Sequence, residues 1–154
     1  MFLLLNYLSF LVSEAQIVNN MYNSIMSAKI DHIAMYVNDL EGAKNFFLKY
    51  FDTVSSEKYH NPATDFKSYY IFFGDGSKIE IMTKPSMDDK PKAYNRTGYV
   101  HLCISVGDKD SVDRLAMQLK EDGYNIISGP RMTGNDYYEF LVLAFEGNQI
   151  EVCI

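Results

Sequence analysis

The stretch Gly98-Tyr99-Val100-His101-Leu102-Cys103-Ile104-Ser105-Val106 decides the fold, because it restates Lys29-Ile30-Asp31-His32-Ile33-Ala34-Met35-Tyr36-Val37 with the histidine in register. Each copy precedes a helical pattern, and each module closes on a strand carrying one glutamate, Lys78-Ile79-Glu80-Ile81 and Gln149-Ile150-Glu151-Val152. His101 lies 69 positions after His32, Glu151 lies 71 after Glu80, and Gly147 lies 71 after Gly76, so two residues of loop account for the difference. A duplication at such matched spacing announces the architecture before any single element does. Here it predicts two like sheets meeting around a shared concavity.

Within each copy the residues alternate with period two, the signature of a half-buried strand. Ile33, Met35 and Val37 share one face and Ile30, His32, Ala34 and Tyr36 the other; Val100, Leu102, Ile104 and Val106 oppose Tyr99, His101, Cys103 and Ser105. After the first copy, Asn38-Asp39 supplies an N-cap, and Leu40, Ala43, Phe46, Phe47, Tyr50 and Phe51 recur at helical spacing. Thr53 to Tyr59 and Phe66 to Phe73 read as strands, and Gly74-Asp75-Gly76 turns into the strand Lys78 to Met82. That glycine pair has no strand-to-helix context, so it is a hairpin and not a phosphate loop.

The second module repeats the order. Its helix carries Val112, Leu115, Ala116 and Leu119 on one stripe, is capped by Asp108 or Asp110 and stops at Gly123; strands over Asn125 to Ser128, Tyr137 to Ala144 and Gln149 to Ile154 complete it. The expected fold is α+β, a pair of β-α-β-β-β modules over about 29–84 and 98–154 with a linker at 85–97, together one domain spanning 26–154. Residues 1–25 read as an N-terminal extension outside the fold or a mis-assigned start. The apolar run Phe2 to Val12 is too short for a bilayer, and no Lys or Arg precedes it as a signal peptide would require.

Composition narrows the partners. With 154 residues, 47% of them apolar, the chain can bury one real core. A net charge of −6 without a Lys/Arg cluster argues against nucleic acid. Two cysteines, Cys103 and Cys153, cannot form a disulfide framework and fit a reducing cytoplasm. They share the face of His101 and Glu151 and read as small core residues; His60, beside a turn proline, reads as solvated. No membrane partner is expected.

Chemistry is expected where the repeats agree. The helix of each module must cover the aliphatic sheet face, which leaves the His/Glu face for the cavity. His32, Glu80, His101 and Glu151 all lie opposite the aliphatic positions of their strands. Two imidazoles and two carboxylates form a neutral-N, anionic-O ligand set suited to a divalent ion such as Zn, Ni, Co, Mn or Fe. Any one of them alone would pass as a polar residue on a half-exposed strand; four at matched register would not.

The pattern resembles the vicinal oxygen chelate superfamily, which includes glyoxalase I, extradiol dioxygenases, methylmalonyl-CoA epimerase, fosfomycin-resistance enzymes and bleomycin-binding proteins. The resemblance covers about 29–154 and rests on Asp31-His32-Ile33, Gly98-Tyr99-Val100-His101-Leu102, Ile79-Glu80-Ile81 and Glu146-Gly147-Asn148-Gln149-Ile150-Glu151-Val152. It places His32, Glu80, His101 and Glu151 on the family's four metal-ligand positions, and glutamate at the second of these resembles glyoxalase I. The activity implied is that of a metal-dependent glyoxalase-like lyase or isomerase, similar to lactoylglutathione lyase, in which Glu151 or Glu80 is also the base that takes a proton next to a carbonyl. An extradiol-type dioxygenase or epimerase of the same superfamily is the alternative, and a non-catalytic antibiotic-binding protein is another.

The resemblance also implies a small-molecule substrate and a homodimer. Tyr36 and Lys84 stand where glutathione-using relatives tend to carry other polar groups. The segment Gly129-Pro130-Arg131-Met132-Thr133-Gly134-Asn135-Asp136-Tyr137-Tyr138-Glu139 resembles a loop of small bacterial glyoxalase-like proteins. Tyr36, Arg131 and Tyr138 are therefore expected at the substrate, with Arg131 taking a carboxylate or phosphate.

Overall fold

In a computed structural model of the chain, residues 28–88, 92 and 97–154 are described; the expected extension at 1–25 and most of the middle of the 85–97 linker lie outside them. The first module runs β1 (Ile33–Tyr36), α1 (Leu40–Tyr50), β2 (Thr53–Ser55), β3 (Tyr59–Asn61), β4 (Phe66–Phe73) and β5 (Lys78–Thr83). The second runs β6 (His101–Ser105), α2 (Lys109–Glu121), β7 (Asn125–Met132), β8 (Tyr138–Leu143), a 3-10 turn (Phe145–Gly147) and β9 (Gln149–Cys153). Their sheets are ordered β1-β5-β4-β2, with β3 also on β4, and β6-β9-β8-β7. In each, first and last strands pair in parallel at the same place: Ala34 opposite Glu80, Cys103 opposite Glu151. The α+β architecture of paired modules is the one the repeat predicts.

Local chemistry explains the boundaries. The Asp39 carboxylate accepts the Gly42 N–H at 2.9 Å and starts α1; Asp108 accepts the Ser111 N–H at 2.7 Å and starts α2, choosing between the two candidate caps. Gly123, at φ +90, ends α2 in the left-handed conformation a glycine takes freely. The Thr53–Tyr59 run divides because Ser56 turns inward: its hydroxyl accepts the Tyr70 N–H at 3.0 Å, so β2 and β3 occupy opposite ends of β4. Strand β7 extends past its expected end through Gly129-Pro130, with register shifts on either side of Ser128. Proline is tolerated there because β7 is an edge strand, with no neighbour on its other side among the described residues.

The core holds both modules. α1 buries Leu40, Ala43, Phe46, Phe47 and Tyr50 against Ile71, Ile79 and Ile81; α2 buries Val112, Leu115, Ala116 and Leu119 against Phe140, Val142, Ile150 and Val152, and all belong to one cluster. Phe46 joins the halves, its ring centroid 5.3 Å from Tyr124 and 5.2 Å from Phe145. Each such ring contributes about 2–3 kcal/mol by burial alone. Polar ties cross the same junction. The Tyr50 hydroxyl donates to Asp122 at 2.7 Å, and the Glu146 carboxylate accepts the N–H groups of Asn38 at 2.9 Å and Asp39 at 2.7 Å, at the N-terminus of α1.

Two predictions test this frame. Glu146 sits at φ +51 and its carboxylate holds two exposed N–H groups just ahead of α1, so E146A should cost about 0.5–1.5 kcal/mol in denaturant unfolding, and E146G should recover up to about 1 kcal/mol by relieving the backbone. Lys44 and Lys58 hold the Glu41 carboxyl down to about 2 from its ordinary 4.5. That depressed value stabilises the fold above pH 4.5 and the contribution is lost as pH falls toward 2, so the melting curves of E41Q and the parent chain should converge over that interval. The half-exposed carboxyl makes the gap small.

Candidate metal centre

His32 stands immediately before β1 and Glu80 lies inside β5, so the parallel pairing of these strands sets them diagonally on one sheet face. His32 Nε2 lies 3.7 Å from Glu80 Oε2. Ile79 and Ile81 point to the core, which obliges Glu80 to the open side. Tyr70, opposite Glu80 on β4, sets its ring edge-on to His32 at 5.4 Å and 90°. The second module repeats the arrangement, with His101 Nε2 3.6 Å from Glu151 Oε2 and Ile150 and Val152 in the core. Both carboxylates are largely covered, at 15% and 19% side-chain exposure, while the imidazoles are open at 32% and 38%.

These separations are too long for good hydrogen bonds. They suit a shared ion: two atoms each about 2.1 Å from a tetrahedral ion lie about 3.4 Å apart, only slightly less than either pair. The donor set of each pair therefore fits a divalent metal.

The four residues are not brought together in one chain. Among the described residues, no three His, Cys, Asp or Glu side chains gather into a group that could hold a metal ion. The expected shared concavity within the chain is corrected accordingly: among the described residues the structure holds two separate His–Glu pairs. The cause is the junction just described: the helix-covered faces meet, so both His/Glu faces turn outward, leaving Tyr36, Phe72 and His101 exposed.

The expected substrate residues divide. Tyr36 is on the open face of β1, with the Lys84 ammonium 5.0 Å above its ring. Arg131 pairs across strands with Glu139, Nη2 to Oε1 3.7 Å, and is well exposed. Tyr138 does not join them. It alternates with Phe140 and Val142 toward α2, and its hydroxyl donates to Asp113 at 2.7 Å; that bond, then burial, hold its phenol above the usual tyrosine range. The loop resemblance placed it at the substrate; the pairing of β8 turns it to the other side.

Other residues near the pairs emerge only from strand register. Tyr70 reaches His32 because β4 places it opposite Glu80. Cys103 lies directly across from Glu151, and its sulfur is 3.1 Å from that of Cys153; burial, then Cys153 and Glu151, push its thiol far up. His60 pairs with Asp65 at 2.8 Å on an exposed hairpin.

Comparison with known proteins places this geometry. A family model described as the glyoxalase/bleomycin resistance protein/dioxygenase superfamily matches residues 29–152. No curated protein matches the chain in sequence. Among solved structures, a glyoxalase family protein from Bacillus cereus superposes with a TM-score of 0.71 at 17% identity, over 84% of this chain and 97% of that one. The fosfomycin resistance protein FosX from Listeria monocytogenes, solved with Mn(II) and a dihydroxypropylphosphonic acid, gives 0.65 at 19%, over 83% and 93%. The trypanothione-dependent glyoxalase I of Leishmania major gives 0.66 at 17%, over 82% and 86%. At these identities the likenesses speak to the fold, and they agree with the family model. The chain, with its doubled β-α-β-β-β module, belongs to the glyoxalase/bleomycin resistance protein/dioxygenase superfamily, whose members are the vicinal oxygen chelate proteins.

Proposed function

We propose that this chain is a metal-dependent lyase or isomerase of the glyoxalase type, completed in a homodimer. Each site would combine His32 and Glu80 of one copy with the partner's His101 and the partner's Glu151. The observation that carries the reading is the matched pair of His–Glu couples, 3.7 and 3.6 Å apart, on two outward sheet faces. Neither couple suffices alone, since protein sites for such ions use three or four ligands. Symmetry favours the crossed pairing. If each half-site met its own copy on a two-fold axis, a closed dimer would complete one kind and leave the other open; crossing completes both.

A bound divalent ion supplies Lewis acidity, drawing charge from the substrate's oxygens and making the neighbouring C–H more acidic. The rest falls to the chain's own residues. The imidazoles of His32 and His101 would hold the ion through a ring nitrogen, and Glu80 or Glu151 is the carboxylate that takes the proton next to the carbonyl and returns it to the adjacent carbon. Tyr36, Tyr70 and Phe72, on the same face as Glu80, form an apolar wall beside the reacting atoms. Arg131, exposed next to Glu139, is the cation available to a carboxylate or phosphate on the substrate.

Two measurements test the reading. Metal analysis of protein exchanged against Zn, Ni, Co and Mn should find about one ion per chain, with H32A and E151A each cutting affinity by at least about tenfold; a parent chain that takes up no divalent ion overturns the enzyme. Hemithioacetal isomerisation, assayed with several thiols, should then be lost in both an H32A/E80A and an H101A/E151A double variant. Co-refolded in equal amounts, the two should regain about a quarter of parental activity, because half the dimers are mixed and each holds one intact site. No recovery would place each site within one chain. Metal uptake without isomerisation, joined to oxygen consumption on a catechol with iron, would favour the dioxygenase instead.

A further inference from the structure

Cys103 and Cys153 are 50 residues apart in the chain and are its only cysteines, yet their sulfurs approach to 3.1 Å. The parallel pairing of β6 with β9 explains the approach: Cys103 faces Glu151 and Ser105 faces Cys153, so the thiols are diagonal neighbours on one sheet face. Closing the gap from 3.1 Å to a covalent bond of about 2.05 Å takes about 1 Å of approach between the sulfurs. Their environments differ. Cys103 is exposed as a residue, although desolvation of its sulfur holds its thiol up, and Cys153 is buried. An oxidant from solution therefore meets Cys103 first, and Cys153, out of reach from outside, stands beside it.

We propose that Cys103 and Cys153 are a modification site, a thiol pair that closes to an intramolecular disulfide on exchange with a small-molecule disulfide. The steps balance with glutathione disulfide as co-reactant. Cys103 sulfur attacks one sulfur of the reagent, whose S–S bond breaks; one glutathione leaves and takes up the Cys103 proton, leaving a mixed disulfide. Cys153 sulfur then attacks Cys103 sulfur, the mixed bond breaks, and the second glutathione leaves with the Cys153 proton. Two protein thiols are oxidised and one reagent disulfide is reduced to two thiols. Because Cys103 lies across from Glu151, the new bond brackets the carboxylate of the second half-site. The inference does not depend on the proposed activity, but it requires that the face around Glu151 stay open to a small molecule in the proposed dimer.

The test is overnight exchange of the native chain, in its parental oligomer, with an excess of glutathione disulfide, followed by thiol counting and non-reducing peptide mapping. Free thiols should fall from two to zero, with one linked peptide pair containing residues 103 and 153 and no cross-linked dimer on a non-reducing gel. C153S should stop at a mixed disulfide on Cys103, whereas C103S should stay unreacted until unfolded. In urea, where the 50-residue separation is no longer closed by the sheet, the parent chain should give mostly two mixed disulfides. A persistent mixed disulfide on Cys103 in the native parent, an intermolecular bond, unreacted thiols, or equal linkage in urea would each overturn the proposal.

Discussion

Phe46 and Phe47 of α1 meet Tyr124 and Phe145 from the opposite module, and that aromatic junction determines which way every other surface faces. Each module alone is a small sheet with one helix, too little to close a core of its own. Joined through their helix-covered sides, the two bury a continuous cluster from Val37 to Val152. The junction is reinforced where burial alone would tolerate sliding: Asp122 takes the Tyr50 hydroxyl, and Glu146 binds the first N–H groups at α1.

The open faces are the consequence. A strand that sends Ile79 and Ile81 inward must send Glu80 outward, and one that sends Ile150 and Val152 inward must do so with Glu151. His32 and His101 follow by the parallel register of the first and last strands. Each face thus holds an imidazole and a carboxylate at ion-bridging distance, flanked in one case by aromatic rings and in the other by two thiols. The duplication gives two such faces, and the packing that stabilises the chain is also what keeps them apart within it.

Most of this frame was legible in the residues. The in-register histidines, the paired glutamates, Asp39 and Asp108 as caps and Gly123 as a stop are local signals, and local signals survive folding because they concern backbone groups within a few residues. Boundaries were less legible. Ser56 divides one expected strand by bonding to Tyr70, fourteen residues away, and β7 runs on through Pro130 because it lies at a sheet edge, a fact of topology. Tyr138 shows the converse: resemblance over a loop put it at the substrate, whereas the structure turns it toward α2, where it bonds to Asp113.

The sequence by itself determined the doubled module and the face on which each candidate ligand stands, since period-two alternation needs nothing beyond the strand. Only the tertiary structure decided whether those faces meet. Nothing local encodes whether two sheets join by their open or their covered sides; that follows from where the larger apolar area can be buried, here around Phe46, Tyr124 and Phe145. Strand register likewise brought Tyr70 to His32 and Cys103 to Cys153, because pairing distant segments is a property of the sheet and not of either strand.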